Sequence, residues 1–308
     1  MQRSSATSST LLIAWLLVLA ATPGSATEPM LNDKHWNHGS DNCSMNNDPA
    51  IEIYSHSPTS FILRQNKCLS YEAPFMYVFI GDERALLIDT GATENATEFP
   101  LFDSVRALIG DKTLLVVHSH GHRDHRSADT QFRDIEGVAL VDAHKPDLIE
   151  KLSISAWPEG QGLIDLGNRK LVVIPSPGHQ EEAISIYDPQ TQWLLTGDTL
   201  YPGFIYVKDW NDFRDSIARL ASFAQTHTVS AVMGAHIEAK SEHGEYYSVG
   251  TVYQPDEARL PLTSDNLTTI NAQLQQLPKA KTVEMGRLRI IPMNFLQRKL
   301  SDLGRLAK

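Results

Sequence analysis

The stretch 118–125 reads HSHGHRDH and comes directly after the apolar run 114–117, LLVV. Four consecutive apolar residues predict a buried strand, and the polar stretch is predicted to lie on a tight loop at its end. Three imidazoles and a carboxylate in the spacing H-x-H-x-D-H are costly to bury without a partner. Imidazole and carboxylate are ligands of zinc and its neighbours, so the stretch predicts a metal site.

Three further polar residues follow apolar runs downstream. The runs 172–174, 193–195 and 231–233 lead to His179, Asp198 and His236, respectively. If these runs are strands of one sheet, their ends lie close together. The three residues are therefore predicted to join the loop in one site.

The five motifs, taken in order, resemble those of the metallo-β-lactamase superfamily. They are D-x-G at 89–91, H-x-H-x-D-H at 120–125, G-H at 178–179, G-D-T at 197–199 and G-x-H at 234–236. The resemblance spans roughly residues 75–240 and implies a metal-dependent hydrolase. It also implies an α+β fold, a four-layer αββα sandwich in which two mixed sheets are flanked by helices.

The resemblance also implies a complete ligand set. His120, His122 and His179 would hold one metal, Asp124, His125 and His236 the second, and Asp198 would bridge the two. The implied cofactor is two Zn²⁺ per chain, with iron or manganese as alternatives. Two metals about 3.5–4 Å apart can share a hydroxide that attacks the substrate and can polarise the substrate oxygen.

Further roles follow from the same resemblance. Asp89 is expected to brace the histidine loop without touching metal, with a plain turn aspartate before Gly91 as the alternative. Tyr201 stands where N-acyl-homoserine lactonases of the superfamily carry a tyrosine that hydrogen-bonds the substrate carbonyl; the alternative is an ordinary half-buried aromatic. Asp124, or a metal-bound water, would protonate the leaving group. Asp124 and Tyr201 are thus the catalytic candidates.

The residue at position 198 separates branches of the superfamily. β-Lactamases with a cysteine ligand would carry it here, but the only cysteines are Cys43 and Cys68, upstream of every motif. A bridging aspartate resembles the glyoxalase II, lactonase and phosphodiesterase branches. The segment 201–204 departs from the glycine- and cysteine-rich stretch of glyoxalase II, which counts against glutathione thioesters. The sequence therefore predicts cleavage of a lactone, ester or thioester.

Three alternatives to this hydrolase stay open. A mononuclear iron sulfur dioxygenase of the same superfamily would use similar histidines. β-Lactam hydrolysis as a side activity would use the same attack on a carbonyl carbon. A non-catalytic zinc-binding protein is disfavoured, because such members are expected to lose ligands and none is lost here.

The charge balance bears on the substrate. The formal net charge is −10, without runs of Lys or Arg, so the chain has no electrostatic footprint for nucleic acid. A small-molecule substrate is the expected partner.

The N-terminus predicts export. Arg3 precedes an apolar stretch, 11–21, and the small residues 24–26 offer a cleavage site, which is the pattern of a signal peptide. The stretch is short for a membrane span, and no stable membrane insertion is expected. We expect a periplasmic or secreted protein cleaved near Ala26, with Cys43 and Cys68 joined in a disulfide across one strand.

Four segments are predicted: a signal peptide over 1–26, an irregular N-terminus over 27–50, the metallo-β-lactamase-like domain over 51–254 and a packed extension over 255–308. Strands at 75–80 and 85–88 form a hairpin, a short helix covers 129–135, a buried strand covers 138–141 and an amphipathic helix covers 210–225. The extension is predicted to carry a helix near 267–274 and a strand at 288–291. It could shape the substrate pocket or form an oligomer contact, but a cap with a solvated charged face is favoured, and a homo-oligomer stays open.

Overall fold

The computed structural model describes residues 30–306, with side chains through residue 303. The predicted signal peptide, 1–26, lies outside the described residues. The helices are α1 (Leu101–Ile109), α2 (Lys145–Lys151), α3 (Trp210–Thr226), α4 (Ser264–Gln275) and α5 (Phe295–Leu306). The strands are β1 (Ile51–Ser57), β2 (Ser60–Gln65), β3 (Phe75–Ile80), β4 (Arg84–Ile88), β5 (Thr113–Val117), β6 (Val138–Leu140), β7 (Gly162–Asp165), β8 (Lys170–Pro175), β9 (Ile184–Asp188), β10 (Trp193–Gly197), β11 (Phe204–Val207), β12 (Ala231–Gly234), β13 (Val283–Met285) and β14 (Leu288–Pro292).

Two mixed sheets form the centre of the fold, as predicted. The first has the order β1-β2-β3-β4-β5-β6, antiparallel through β4 and parallel from β4 to β6. The second has the order β12-β10-β9-β8-β7, in which only β10 and β12 run parallel. A third sheet, β11-β14-β13, was not predicted.

Alternation along the strands creates the layers. Leu86 faces the core between the two large sheets, while its neighbour Leu87 packs on the outer side with α1. In the same way, Leu195 faces the core between the two large sheets, whereas Leu194 faces α3 and α4. Because side chains alternate along a strand, one apolar run supplies two cores. The result is the predicted αββα sandwich.

Three local predictions need correction. The helix predicted over 129–135 is a short 3-10 helix at Ser127–Gln131. The strand predicted as buried over 138–141 ends at Leu140 and is half-exposed, because it is the edge strand of its sheet. Cys43 and Cys68 do form a disulfide, but the segment between them contains two strands, the β1–β2 hairpin.

Two elements of the described segment 255–306 pack along the earlier part of the chain. Helix α4, capped by Thr263 and Asn266, lies against α3 and buries Leu267 and Ile270. Strand β14 pairs in parallel with β11. The residues after 254 thus extend the structure beside the strand that follows Asp198.

A buried arginine joins the two large sheets. Arg169 is bidentate to Asp188 at 2.9 and 2.6 Å, and it also donates to the Thr59 carbonyl and the Ser60 hydroxyl at the β1–β2 turn. Its side chain and that of Asp188 are both fully buried. Burial raises the pKa of Asp188, but hydrogen bonds from Arg169 and Thr191 outweigh this and lower it.

We expect Arg169→Met to destabilise the protein by about 3–5 kcal/mol, because Asp188 would remain buried without its partner. Urea unfolding followed by circular dichroism measures the change. The control is Lys170→Met at the adjacent position, whose side chain is 65% exposed and pairs only loosely with Asp165. That control should change the free energy of unfolding by less than about 0.5 kcal/mol. Equal effects of the two substitutions would contradict the role given to Arg169.

Candidate metal centre

Strand ends from both large sheets meet at one edge of the sandwich. Strand β5 of the first sheet leads into the loop 118–125, and β8, β10 and β12 of the second lead to His179, Asp198 and His236. In two of these loops the backbone lies so close to neighbouring residues that only glycine fits. A Cβ on Gly178 would lie 2.4 Å from the Phe213 backbone, and one on Gly234 would lie 2.5 Å from two carbonyl oxygens.

The first group of candidate ligands consists of His120, His122, His179 and Asp198. The Nδ1 atom of His122 lies 2.9 Å from Nε2 of His120 and 3.0 Å from Nε2 of His179. The Oδ2 atom of Asp198 lies 3.8 Å from the His120 nitrogen and 3.5 Å from the His179 nitrogen. Four donor atoms therefore converge on one point.

The second group consists of Asp124, His125, His236 and again Asp198. The Nε2 atoms of His125 and His236 each lie 3.3 Å from Asp124 Oδ2 and 3.3 Å from Asp198 Oδ1. Asp198 thus presents one carboxylate oxygen to each group. The structure brings together all seven side chains predicted to bind metal.

The donor set fits a metal ion. Zinc–ligand distances of about 2.0–2.1 Å in a tetrahedron place neighbouring donors about 3.3 Å apart, which matches the second group. The Oδ1 atom of Asp198 is buried and has no hydrogen-bond partner within the described residues. A buried carboxylate oxygen without a partner is costly, and a cation would satisfy it.

The ionisation of the two groups differs. Burial lowers the pKa of His120 well below its usual value and that of His122 to about 3, with nearby histidines adding to the effect. Neutral imidazole is the form that binds metal. Burial would also lower the pKa of His125 and His236, but the carboxylates of Asp124 and Asp198 outweigh it and raise both. The two carboxylates of the second group therefore favour a positive charge at that site.

The outer nitrogen of each ligand histidine meets a fixed partner. Nδ1 of His179 lies 2.7 Å from the Tyr206 carbonyl and Nδ1 of His236 lies 3.0 Å from the Glu72 carbonyl. A carbonyl can only accept, so each Nδ1 carries a proton, and Nε2 is the ring nitrogen that faces the site. The outer nitrogen of His122 lies 2.9 Å from the Ser301 hydroxyl.

Asp89 contacts the start of the histidine loop. Its Oδ1 accepts from the Ser119 backbone N–H at 2.7 Å. Its Oδ2 accepts from the Ser119 hydroxyl at 2.8 Å and lies 2.9 Å from Nδ1 of His125. The carboxylate therefore fixes both the loop backbone and the ring of His125.

Tyr201 lines the cleft over Asp198, and its ring meets the His236 ring edge-on at 5.4 Å. Its hydroxyl donates to the Phe204 carbonyl. Burial, reinforced by the Glu238 carboxylate, raises the pKa of Tyr201 well above its usual value. The phenol is therefore neutral, and its O–H points to a backbone carbonyl oxygen.

The cleft of about 340 Å³ in front of these ligands includes residues that sequence reasoning missed. Ser301 arrives from α5, far along the chain, and no motif marks it. Lys67 and Glu238 also line the cleft, and burial lowers the pKa of Lys67 to about 8 and raises that of Glu238 to about 7. Lys67 adjoins Cys68, so the disulfide lies next to the cleft wall.

His118 and His144 do not join either group of ligands. His118 is buried with Nε2 2.9 Å from Asp129, which raises its pKa against the lowering effect of burial. His144 is exposed, beside Asp147 at the start of α2. Both lack a second neighbouring ligand among the described residues.

Comparison with known proteins gives a family and several relatives. The model of the metallo-beta-lactamase superfamily matches residues 72–233, more than half of the chain. The acyl-coenzyme A thioesterase MBLAC2 of Gallus gallus is 24% identical over 231 residues, covering 61% of this chain and 82% of that protein. A hydroxyacylglutathione hydrolase of Legionella pneumophila (strain Paris) is 25% identical over 183 residues, covering 53% and 68%.

Solved structures also match. The metallo-beta-lactamase from Pontibacter korlensis superposes with a TM-score of 0.49 at 18% identity, covering 74% of this chain and all of that one.

We expect Asp89→Asn to weaken metal binding by about 10–100-fold, the usual effect of removing a partner of a ligand histidine. The amide has one oxygen and one NH₂ group, so a donor would replace an acceptor either opposite the Ser119 N–H or opposite the Ser119 hydroxyl and His125. Competition with a chromophoric chelator measures the affinity. Asp142→Asn, at an exposed aspartate outside the site, is the control and should bind metal normally. Unchanged affinity in Asp89→Asn would show that Asp89 is only a turn residue.

Proposed function

We propose that this chain, which belongs to the metallo-beta-lactamase superfamily and is a metal-dependent hydrolase, uses two zinc ions to cleave an ester-like bond of a small molecule. One observation supports the proposal of two metal ions. Asp198 presents a separate oxygen to each of two groups of ligands, so a single buried carboxylate is placed to serve two ions.

We further propose that the bond is an acyl thioester. Two relatives are named for acyl-coenzyme A thioesterase and hydroxyacylglutathione hydrolase activity, and both substrates join an acyl group to sulfur. The departure of residues 201–204 from the glyoxalase II pattern counts against glutathione as the thiol. The net charge of −10 fits a small-molecule substrate better than nucleic acid.

When bound, a metal pair supplies a water of lowered pKa and polarises the substrate carbonyl. The protein's own groups orient and move protons. Asp124 is 22% exposed at the cleft, whereas Asp198 is 9% exposed, so Asp124 is the carboxylate that a substrate can reach. Asp124 would take a proton from the attacking water and hand it to the departing sulfur as the carbon–sulfur bond breaks.

Export remains our proposal for the location of the protein, periplasmic or secreted. It is supported by the signal-peptide pattern in the sequence and by the disulfide between Cys43 and Cys68, since disulfides persist mainly in oxidising compartments. Within residues 30–306, no helix is both long and apolar enough to cross a membrane.

We expect about two zinc ions per purified chain and turnover of a short acyl thioester in a panel that also holds a lactone, a phosphodiester and a β-lactam. Asp198→Ala should lower the zinc content to one or fewer and abolish turnover, because both groups lose a ligand. Elemental analysis and release of the free thiol measure these effects. Asp142→Ala, at an exposed aspartate outside the site, is the control.

Either of two results would overturn the proposal. One is a single iron without hydrolysis, which would favour the sulfur dioxygenase. The other is full metal content and activity in Asp198→Ala.

Tyr201 is proposed to donate a hydrogen bond to the substrate carbonyl. Because its hydroxyl donates to the Phe204 carbonyl in this structure, this role requires the hydroxyl to exchange one acceptor for another. We expect Tyr201→Phe to lower kcat by about tenfold or more with little change in KM, since the bond would strengthen as charge develops on the oxygen. Steady-state kinetics measures the two constants. An unchanged kcat would leave Tyr201 as a packing residue.

A further inference from the structure

Helix α5 (Phe295–Leu306) has its polar side toward the protein and its apolar side toward solvent. Ser301 contacts His122 and Gln180, and Asp302 pairs with Lys208. On the other side, four large apolar residues are exposed by 58–76% of their surface: Phe295, Leu296, Leu300 and Leu303. A surface helix of a globular protein normally has the reverse arrangement.

The spacing makes these residues one continuous face. Leu296, Leu300 and Leu303 stand at positions i, i+4 and i+7, and Phe295 lies at the edge of the same stripe. None of the four belongs to an apolar core of the described structure. The helix is held in place by polar contacts beside the metal centre, and its apolar face is left for another surface.

Other exposed apolar residues surround the mouth of the cleft. Tyr71, 40% exposed, and Val249, 63% exposed, both line the cleft, as does Ser301 of α5. Two separate segments of the chain therefore place exposed apolar side chains at the opening that Ser301 of α5 also lines. Exposed apolar residues grouped in this way mark an interaction site.

The charge of the helix indicates what it contacts. The stretch 298–308 contains four basic residues and one acidic residue, whereas the whole chain has a net charge of −10. Lys299 lies within the apolar face, with its ammonium 5.8 Å from the centre of the Phe295 ring. An apolar face that contains a lysine, on a segment with more basic than acidic residues, suits an anionic lipid surface, while two copies of the helix would repel each other.

We propose that α5 docks this protein on an anionic lipid surface, with the mouth of the metal cleft facing that surface. The apolar residues would enter the boundary between headgroups and acyl chains, and the basic residues would pair with lipid phosphates. An acyl substrate held in the surface would then reach the cleft directly; this last consequence rests on the proposed thioesterase function.

The test is co-sedimentation of the full chain with vesicles of phosphatidylcholine alone and of equimolar phosphatidylcholine and phosphatidylglycerol. We expect clear preference for the anionic vesicles. Leu296→Glu combined with Leu300→Glu should lower the partition coefficient by about tenfold or more, because two leucines that would enter the lipid are replaced by charges. Lys299→Glu should reduce the preference for phosphatidylglycerol. Leu163→Glu, at an exposed leucine on β7, is the matched control and should bind as the unmodified chain does.

Two results would overturn the docking proposal. One is binding that is absent, or that is equal in the double variant and the control. The other is a concentration-dependent dimer, seen by sedimentation velocity, that the double variant dissociates, since the face would then join two copies of the chain.

The proposed chemistry is judged separately, by release of thiol from a short acyl thioester in water. The double variant should retain this activity, which also shows that it folds. Lipid binding without any thioester hydrolysis would contradict the proposed function and leave the docking surface standing.

Discussion

The Asp198 carboxylate is the constraint around which the site is built. Its two oxygens face two groups of histidines contributed by both sheets, and one of those oxygens is buried without a hydrogen bond. Such an atom is costly to bury unless a cation satisfies it. At Gly178 and Gly234 the chain lies too close to its neighbours for a Cβ, and this keeps the candidate ligands near one another. The carboxylate of Asp89 fixes the ring of His125 within reach of such a cation.

Much of this arrangement is visible in the sequence, because the ligands follow apolar runs directly and a strand end fixes where the next residue lies. The hairpin of β3 and β4 and the helix α3 were predicted for the same reason: their patterns are local and strongly periodic. The prediction that the edge strand β6 is buried was wrong. Burial depends on whether another strand pairs beyond it, and a short apolar run does not indicate this. Ser301 and Glu238 could not be found, because their approach to the site depends on distant packing.

Helix α5, whose polar side faces the protein and whose apolar side faces solvent, connects the metal centre with the outer surface. Ser301 lies against the outer nitrogen of His122, so the position of this helix bears on the orientation of a candidate ligand. The contacts that hold α5 are polar and few, whereas its apolar side has no partner among the described residues. A helix held in this way gains most of its stability from whatever covers the apolar face.

The residues that brace the site extend beyond the segment that the family model matches, 72–233. Strand β14 pairs with β11 along its length, and β11 contains both the Tyr206 carbonyl that orients His179 and the Phe204 carbonyl that accepts from Tyr201. The motif residues supply the candidate donors for metal, but the positions of one of them, His179, and of Tyr201 depend on a strand pairing formed by the last part of the chain. Differences among relatives in that part would therefore change the cleft while leaving every motif intact.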